Sequence, residues 1–420
     1  GKEPEKLTLW NPDNGKSYRV KTDATNTCNL EIGIADFIIL STGNISVGNQ
    51  YTENYTLPSA TSILSTIDTP WSGDKLSPNA ITLDYAHYSI DNGKTFSEPE
   101  PVIGIMERLC KQSYKGQLQL HFDVNVEQQL SKASLVVESP FMYQSIQIND
   151  KNINSFNEEA YYVDYSFKKS ENIASYLKVG KNIISLTLNF KNPVISDPVF
   201  ANRYGTELES IYLIGDFAVK AHHAEWNIWD TEKNQYATFI KKPIHRLNDL
   251  YLSCEPAAYS NDLTQCGYPF YAGSFELKNT FTIEKIESDK QYYVNLPLFE
   301  AILCRPSING NELDELSSSP FKWNITPYIK EGVNTISFTL CNSLRNLLGP
   351  HHHKGGELKG TSPLSFTGSG GWPHGEGDSK WYDDRLNKKA SLKIWTDDFN
   401  FIPFGFIEPV EITESVNNRN

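Results

Sequence analysis

Residues 308–340 read INGNELDELSSSPFKWNITPYIKEGVNTISFTL, and this stretch decides the fold class. Asn309-Gly310 is a tight-turn dipeptide, because glycine enters positive φ without steric cost and asparagine tolerates it. Trp323-Asn324-Ile325-Thr326-Pro327 opens a second short turn that Gly332 closes. From Asn334 the residues alternate, with Ile336, Phe338 and Leu340 on one face and Thr335, Ser337 and Thr339 on the other. A period of two is a strand with one face buried.

The unit recurs upstream. Ile148-Asn149-Asp150 precedes LKVGKNIISLTLNF, which repeats the Gly-x-Asn-x-Ile pattern 152 residues before Gly332, while Ile148 lies 160 before Ile308. Tyr114-Lys115-Gly116 before LQLHFDVNVE matches Tyr271-Ala272-Gly273 before FELKNTFTIE at an offset of 157. YLIGDFAV around Gly215 matches FIPFGFIEPV around Gly405. Matches in the same order predict a duplicated domain.

Composition bounds the rest. A chain of 420 residues with 39% hydrophobic and 12% aromatic residues has enough apolar surface for two or three cored domains, which excludes wholesale disorder. Short β-rich segments, 26 Gly and 22 Pro point to sandwiches or barrels. Lys and Arg number 38 against 51 acids, a net charge of -13 with no basic run, so a phosphate backbone is repelled and nucleic acid is excluded as a partner. No apolar run approaches the roughly 18 residues a membrane helix needs, so no membrane partner is expected. The six cysteines form no C-x-x-C pair, which argues against a zinc ribbon or thioredoxin motif and for buried free thiols. Cys254 and Cys266 are the one pair spaced to close a loop.

Along the chain, residues 1–75 read as a β tail of a preceding domain followed by a Ser/Thr-rich linker. Residues 76–250 carry a hairpin through Asp91-Asn92-Gly93 and a series of strands at sandwich spacing. Residues 251–412 form the second sandwich, and 413–420 a frayed tail. The expected class is all-β, two tandem β-sandwiches. The second copy carries a long insertion between Leu340 and Leu392 that concentrates Arg345, His351, His352, His353, Trp372, His374, Trp381 and Tyr382. A loop of that length is functional or disordered, so these eight residues are the candidate carbohydrate-binding or domain-contact set.

Several motifs in this order resemble the C-terminal half of large bacterial α-L-rhamnosidase-like glycoside hydrolases. They are Trp10-Asn11-Pro12 with Gly15, Leu83-Asp84-Tyr85-Ala86 with Tyr88-Ser89, and Tyr212-Leu213-Ile214-Gly215-Asp216-Phe217. Gly267-Tyr268-Pro269-Phe270-Tyr271-Ala272-Gly273 and Leu344-Arg345-Asn346-Leu347-Leu348-Gly349-Pro350-His351-His352 complete the set. The resemblance implies galactose-binding-like jelly-roll sandwiches that follow a catalytic barrel absent from this chain. It further implies a secreted, periplasmic or cell-surface protein, partners in a plant or bacterial polysaccharide and the missing catalytic domain, and in some such sandwiches a structural calcium. The strand pattern agrees in one respect, since no alternation of strands and helices suggests a (β/α)8 barrel. The alternative is a free-standing glycan-binding or adhesion module.

The chemistry is weighed residue by residue. Glycoside hydrolysis needs two facing carboxylates about 5 to 10 Å apart. Asp84, Glu138, Asp164, Asp216 and Glu276 cannot be paired from sequence, and the neighbours Asp383-Asp384 and Asp397-Asp398 would point to opposite strand faces. No catalytic residue is therefore assigned. Three consecutive histidines do not converge on one zinc ion, and no metal site is assigned either. No G-x-S-x-G elbow is present, which excludes a serine hydrolase of that type. Trp372, Trp381 and Trp395, and separately Trp226 and Trp229, are either core fillers or platforms on which a sugar ring stacks.

Overall fold

The computed structural model describes residues 7–11, 16–23, 25, 27–30, 38–42, 53–54, 61–161, 165–191, 206–229, 242–316, 320–353, 356 and 395–416. Strands dominate, as the alternation predicts. The chain forms two compact units that interleave along the sequence. One comprises Gly1–Asp74, Phe275–Cys341 and Phe406–Asn420; the other comprises Lys75–Ser274 and Asn342–Gly405. The described flanks of the long insertion, 342–353 and 395–405, thus belong with residues 75–274.

In the first unit a five-stranded sheet runs in the order Asn311–Glu312, Leu303–Ile308, Gly332–Cys341, Ser274–Ile283, Ser72–Lys75. A four-stranded sheet runs Lys322–Asn324, Lys290–Asn295, Val410–Val416, Thr61–Ile67. Ile336, Phe338 and Leu340 are buried as their alternation requires, and Trp71, Phe338 and Phe406 form a ring cluster with centroids 5.0 to 6.0 Å apart. Residues 61–67 and 72–75, which their Ser/Thr content marks as a connection, are strands. Thr61–Ile67 is an edge strand exposed for most of its length, so it needs no apolar alternation, and threonine and isoleucine favour extended backbone. A separate sheet of Ile39–Thr42, Leu7–Asn11, Lys16–Val20 and Glu53–Asn54 accounts for the predicted N-terminal hairpin.

The second unit pairs a nine-stranded sheet with a four-stranded one. The larger follows Lys151–Asn152, Tyr143–Ile148, Gly180–Lys191, Lys115–Val126, Ile244–Ser253, Ala218–Ile228, with Phe399–Phe401 added beside Ile244–Ser253 and Tyr85–Ser89 beside Lys115–Val126. The smaller runs Phe167–Lys169, Ala133–Glu138, Ile211–Gly215, Asn79–Leu83. Leu118, Leu120 and Phe122 of one sheet and Leu135, Leu213 and Ile81 of the other share a single buried core, so the two sheets form a sandwich.

One turn geometry recurs in both units. Asn149 and Asp150 turn at φ 47° and 67°, and Asn309 and Gly310 turn at φ 51° and 81°. In each unit a fully buried asparagine at the start of the following strand reads that turn. Asn182 Oδ1 accepts from Lys178 N at 2.8 Å and Asn149 Nδ2 at 2.7 Å, while its Nδ2 donates to Lys178 O and Gly180 O. Asn334 Oδ1 accepts from Lys330 N at 2.9 Å and Asn309 Nδ2 at 2.8 Å, and its Nδ2 donates to Lys330 O and Gly332 O. Asn149 and Asn309 each donate onward to a tyrosine carbonyl at 2.9 Å, Tyr176 and Tyr328.

One helix stands out, Val102–Lys111. Val102, Ile105 and Leu109 recur at helical spacing and all three are buried. All six cysteines are free thiols, Cys254 and Cys266 included.

Candidate functional site

The candidate site lies in the second unit, where the two flanks of the insertion return to the sandwich. After strand Gly332–Cys341, Asn342 Nδ2 donates to Tyr271 O at 2.9 Å, and the short helix Arg345–Leu348 covers strand Asn79–Leu83, where Thr82 Oγ1 donates to Leu347 O at 2.6 Å. Asn346 acts as an extra strand residue: its Nδ2 donates to Ile402 O at 2.8 Å and its Oδ1 accepts from Ile402 N at 3.1 Å. Gly349 ends the helix at φ 87°, where a Cβ would meet the backbone nitrogen of His351 at 2.9 Å.

The three consecutive histidines are buried and diverge. His351 Nε2 donates to Asn346 O at 2.8 Å, and its ring packs among Phe270, Phe399 and Phe401, each centroid 5.5 Å away. Burial, reinforced by the Arg345 cation, depresses its pKa to about 3, so it is a neutral core imidazole. His352 meets acceptors on both ring nitrogens: Asp84 Oδ2 lies 2.9 Å from Nε2, and the carbonyls of Thr396 and Asp398 each lie 3.0 Å from Nδ1. Carbonyls only accept, so Nδ1 carries a hydrogen. The ring stacks on Trp395 at 4.6 Å and 27°. His353 bridges to Trp395, and its carbonyl accepts from Asn400 Nδ2 at 3.0 Å.

Around this core a chain of side-chain hydrogen bonds reaches the surface. Trp395 Nε1 donates to Tyr85 Oη at 2.8 Å, and Tyr85 Oη donates to the exposed Asp397 Oδ1 at 2.7 Å. Burial and the acceptor Asp397 hold the Tyr85 phenol far above its ordinary range, so it donates and does not ionise. Asp84 Oδ1 is buried with no hydrogen-bond partner among the described residues.

Arg345 is half-buried beside His351 and contributes to the electrostatics there. Trp372, His374, Trp381 and Tyr382 lie outside the described residues. The structure therefore brings His351, His352 and His353 together with partners the sequence did not pair with them: Asp84, Tyr85, Trp395 and Asp397. Asp84 and His352 are 268 residues apart, so no local signal joins them. The arrangement can fix the two flanks in place. It has no group of three or more His, Cys, Asp or Glu placed to hold a metal ion, among the described residues. No helix of the described residues is long and apolar enough to cross a membrane.

Other acids are engaged as well. Asp216 and Glu255 pair with Lys75 at 2.9 and 2.8 Å. Asp262 accepts from His245 Nε2 at 2.5 Å and from the backbone nitrogens of Thr264 and Phe404. Burial opposes its ionisation, yet His245 and these backbone donors hold the Asp262 carboxyl below its ordinary value. Asp91 caps its own turn through Thr95, Lys94 and Ser89, which lowers its carboxyl too.

No protein-family model and no curated protein matches the chain. Among solved structures it is similar to a rhamnosidase from Novosphingobium sp. PP1Y, at 12% identity and a TM-score of 0.25, over 71% of this chain and 23% of that one. A Streptomyces avermitilis α-L-rhamnosidase in complex with L-rhamnose aligns at 8% identity and a TM-score of 0.26, over 65% and 25% of the two chains. A β-D-mannosidase from Dictyoglomus thermophilum aligns at 13% and 0.24, over 63% and 31%. The chain thus spans 23% to 31% of the length of these structures.

Proposed function

We propose that this chain is a non-catalytic accessory region of a bacterial glycoside hydrolase of the α-L-rhamnosidase-like kind. It comprises two galactose-binding-like jelly-roll sandwiches that support a catalytic domain and hold carbohydrate. It acts outside the cytoplasm, secreted, periplasmic or at the cell surface.

One observation carries this reading. Apart from Trp10-Asn11-Pro12 and Gly15, the motif residues that bear the family resemblance belong to one unit, and their polar groups are engaged by its scaffold. Asp84 is held by His352, Asp216 by Lys75, and Asn346 by the backbone of Ile402. Gly267 O accepts from Asn79 Nδ2 at 2.8 Å, and Tyr271 Oη donates to Ser274 O at 2.5 Å. A glycosidase carboxylate must face its partner across a sugar; Asp84 faces a histidine and Asp216 a lysine instead.

The test is direct. Incubated with an aryl α-L-rhamnoside, the purified chain should release no aglycone above buffer. Turnover abolished by Asp84→Asn or Asp397→Asn would sink the proposal, because those acids would then be chemical and not structural. The structural calcium implied by the resemblance is tested by melting with EDTA and with added Ca2+; an unchanged Tm removes it. The alternative, a free-standing glycan-binding or adhesion module, is favoured by the exposed indoles of Trp226 and Trp229.

A further inference from the structure

Those indoles sit on an edge with unusual support. Strand Ala218–Ile228 ends the nine-stranded sheet and pairs with Ile244–Ser253 on one side. Its residues from His222 to Asn227 are exposed, Trp226 at 38%, and Trp229 just beyond the strand is 47% exposed. Large aromatic rings left open to water on a folded unit mark a contact surface more often than an accident.

The register shifts between Glu225 and Ile228, so Trp226 and Asn227 together oppose the single residue His245. Asn227 adopts φ 54°, in the left-handed region, and its backbone nitrogen donates to His245 Nδ1 at 3.1 Å. A bulge of this kind re-aims a side chain, and a non-glycine residue at positive φ stores strain that its surroundings must overcome. The surroundings are those of a built site. His245 is fully buried, donates from Nε2 to Asp262, and meets the Trp226 ring edge-on at 5.1 Å and 72°. Asp262 is fixed in turn by Thr264 N, Phe404 N and Gln265 Nε2. A buried, doubly anchored imidazole thus holds the back of an indole whose other side is open.

Four residues along the strand, His222 stacks on Tyr251 at 4.5 Å and 26°. His222 and Trp226 lie roughly 13 Å apart along the strand.

We infer that this strand edge is a carbohydrate-binding platform. Trp226, with Trp229 beside it, presents indole surface to the apolar C–H face of a neutral pyranose, and Asn227 and Glu225 meet its hydroxyls. The observations favour a glycan over a protein. The bulge and the left-handed Asn227 interrupt the hydrogen-bond ladder that an added strand, including one from a second copy of this chain, would need. Between Lys220 and Asn227 the only aliphatic side chains are Ala221 and Ala224, so an apolar protein surface has little to bury against. Lys220, Glu225, Arg246 and Asp249 mix both signs, so a highly charged ligand has no matching field. Planar rings flanked by amide and carboxylate groups suit a polyhydroxylated ring.

The inference rests on the carbohydrate half of the proposed function and locates it. Affinity gel electrophoresis on galactan, glucomannan, xyloglucan and a bacterial rhamnan, with tryptophan fluorescence as a second readout, tests it on the full chain. The expected result is retardation by at least one neutral polysaccharide. Trp226→Ala and Trp229→Ala should each weaken it on the order of tenfold or more, the scale of one lost aromatic contact, with Tm and elution volume unchanged. Trp226→Phe, which keeps a ring, should retain part of the affinity and so separate loss of stacking from loss of fold. Binding that both alanine variants leave intact overturns the platform while the carbohydrate reading survives. No retardation by any of the four polysaccharides overturns platform and carbohydrate reading together and leaves the scaffold role. A concentration-dependent dimer lost on Trp226→Ala replaces the sugar with a second copy.

Discussion

Buried amides and imidazoles are where single residues matter most in this protein. Asn182 and Asn334 each close a turn through four hydrogen bonds with no water to replace them. Asn182→Ala strands the Lys178 N–H and the Asn149 amide, and should cost about 2–4 kcal/mol. Asn334→Ala should cost the same in its own unit. Denaturant titration followed by tryptophan fluorescence checks both, and a cost below about 0.5 kcal/mol for either would show that the amide network is incidental. Titration gives a second prediction with a definite sign. His351 binds its proton less readily folded, at about 3, than unfolded. Its contribution to stability is therefore complete above the unfolded imidazole value near 6.5 and erodes as pH falls toward 3. Glu209 runs the opposite way, because burial and then the neighbouring Glu138 and Glu207 push its carboxyl up to about 7. Its folded state is favoured below the unfolded value near 4.5, and that advantage is lost as pH rises through 7. Glu209→Gln should therefore stabilise the protein at pH 8 and leave it unchanged at pH 4. His351→Gln should flatten the loss of stability between pH 6.5 and pH 4. Parallel pH curves for either variant and the parent would contradict the assignment.

Elements show which local signals suffice. The turn at Asn309-Gly310 and the alternation after Gly332 fold as their residues dictate, because the sign of φ and the two-residue period are properties of the chain itself. Helix Val102–Lys111 carried an equally local signal in Val102, Ile105 and Leu109, masked by its short length among strands and by Pro101 before it. Ile105→Ala should cost about 2–4 kcal/mol, since it removes a fully buried side chain from a shared core; a smaller loss in thermal unfolding would mean the helix is peripheral to that core. Strand Thr61–Ile67 had no such signal. An exposed edge strand alternates nothing, and its serines and threonines read as linker until the sheet that holds it is known. The His245–Asp262 pair was equally silent, since a histidine and an aspartate 17 residues apart meet only through the sheet.

At the scale of the whole molecule, connectivity governs cooperativity. The chain passes between its two compact units four times, so neither unit is a contiguous segment. A fragment of residues 75–274 lacks Phe399–Phe401 beside Ile244–Ser253 and the flank that covers Asn79–Leu83. Expressed alone, it should be insoluble or give collapsed amide dispersion in NMR, whereas the full chain disperses. Removal of residues 406–420 takes Val410–Val416 from between Lys290–Asn295 and Thr61–Ile67, and should abolish the transition of that unit. A native-like spectrum from the 75–274 fragment would show that the later segments decorate a sandwich already complete.

By itself the sequence determined the all-β class, the turn positions and the recurrence of one turn-and-strand pattern, because alternation, glycine and asparagine at positive φ, and spacing are all local. Tertiary structure alone decided that three adjacent histidines are interior, that Asp84 serves His352, and that Trp226 faces water. Burial and partnership depend on what the fold brings from hundreds of residues away, and no window of sequence contains both members of such a pair.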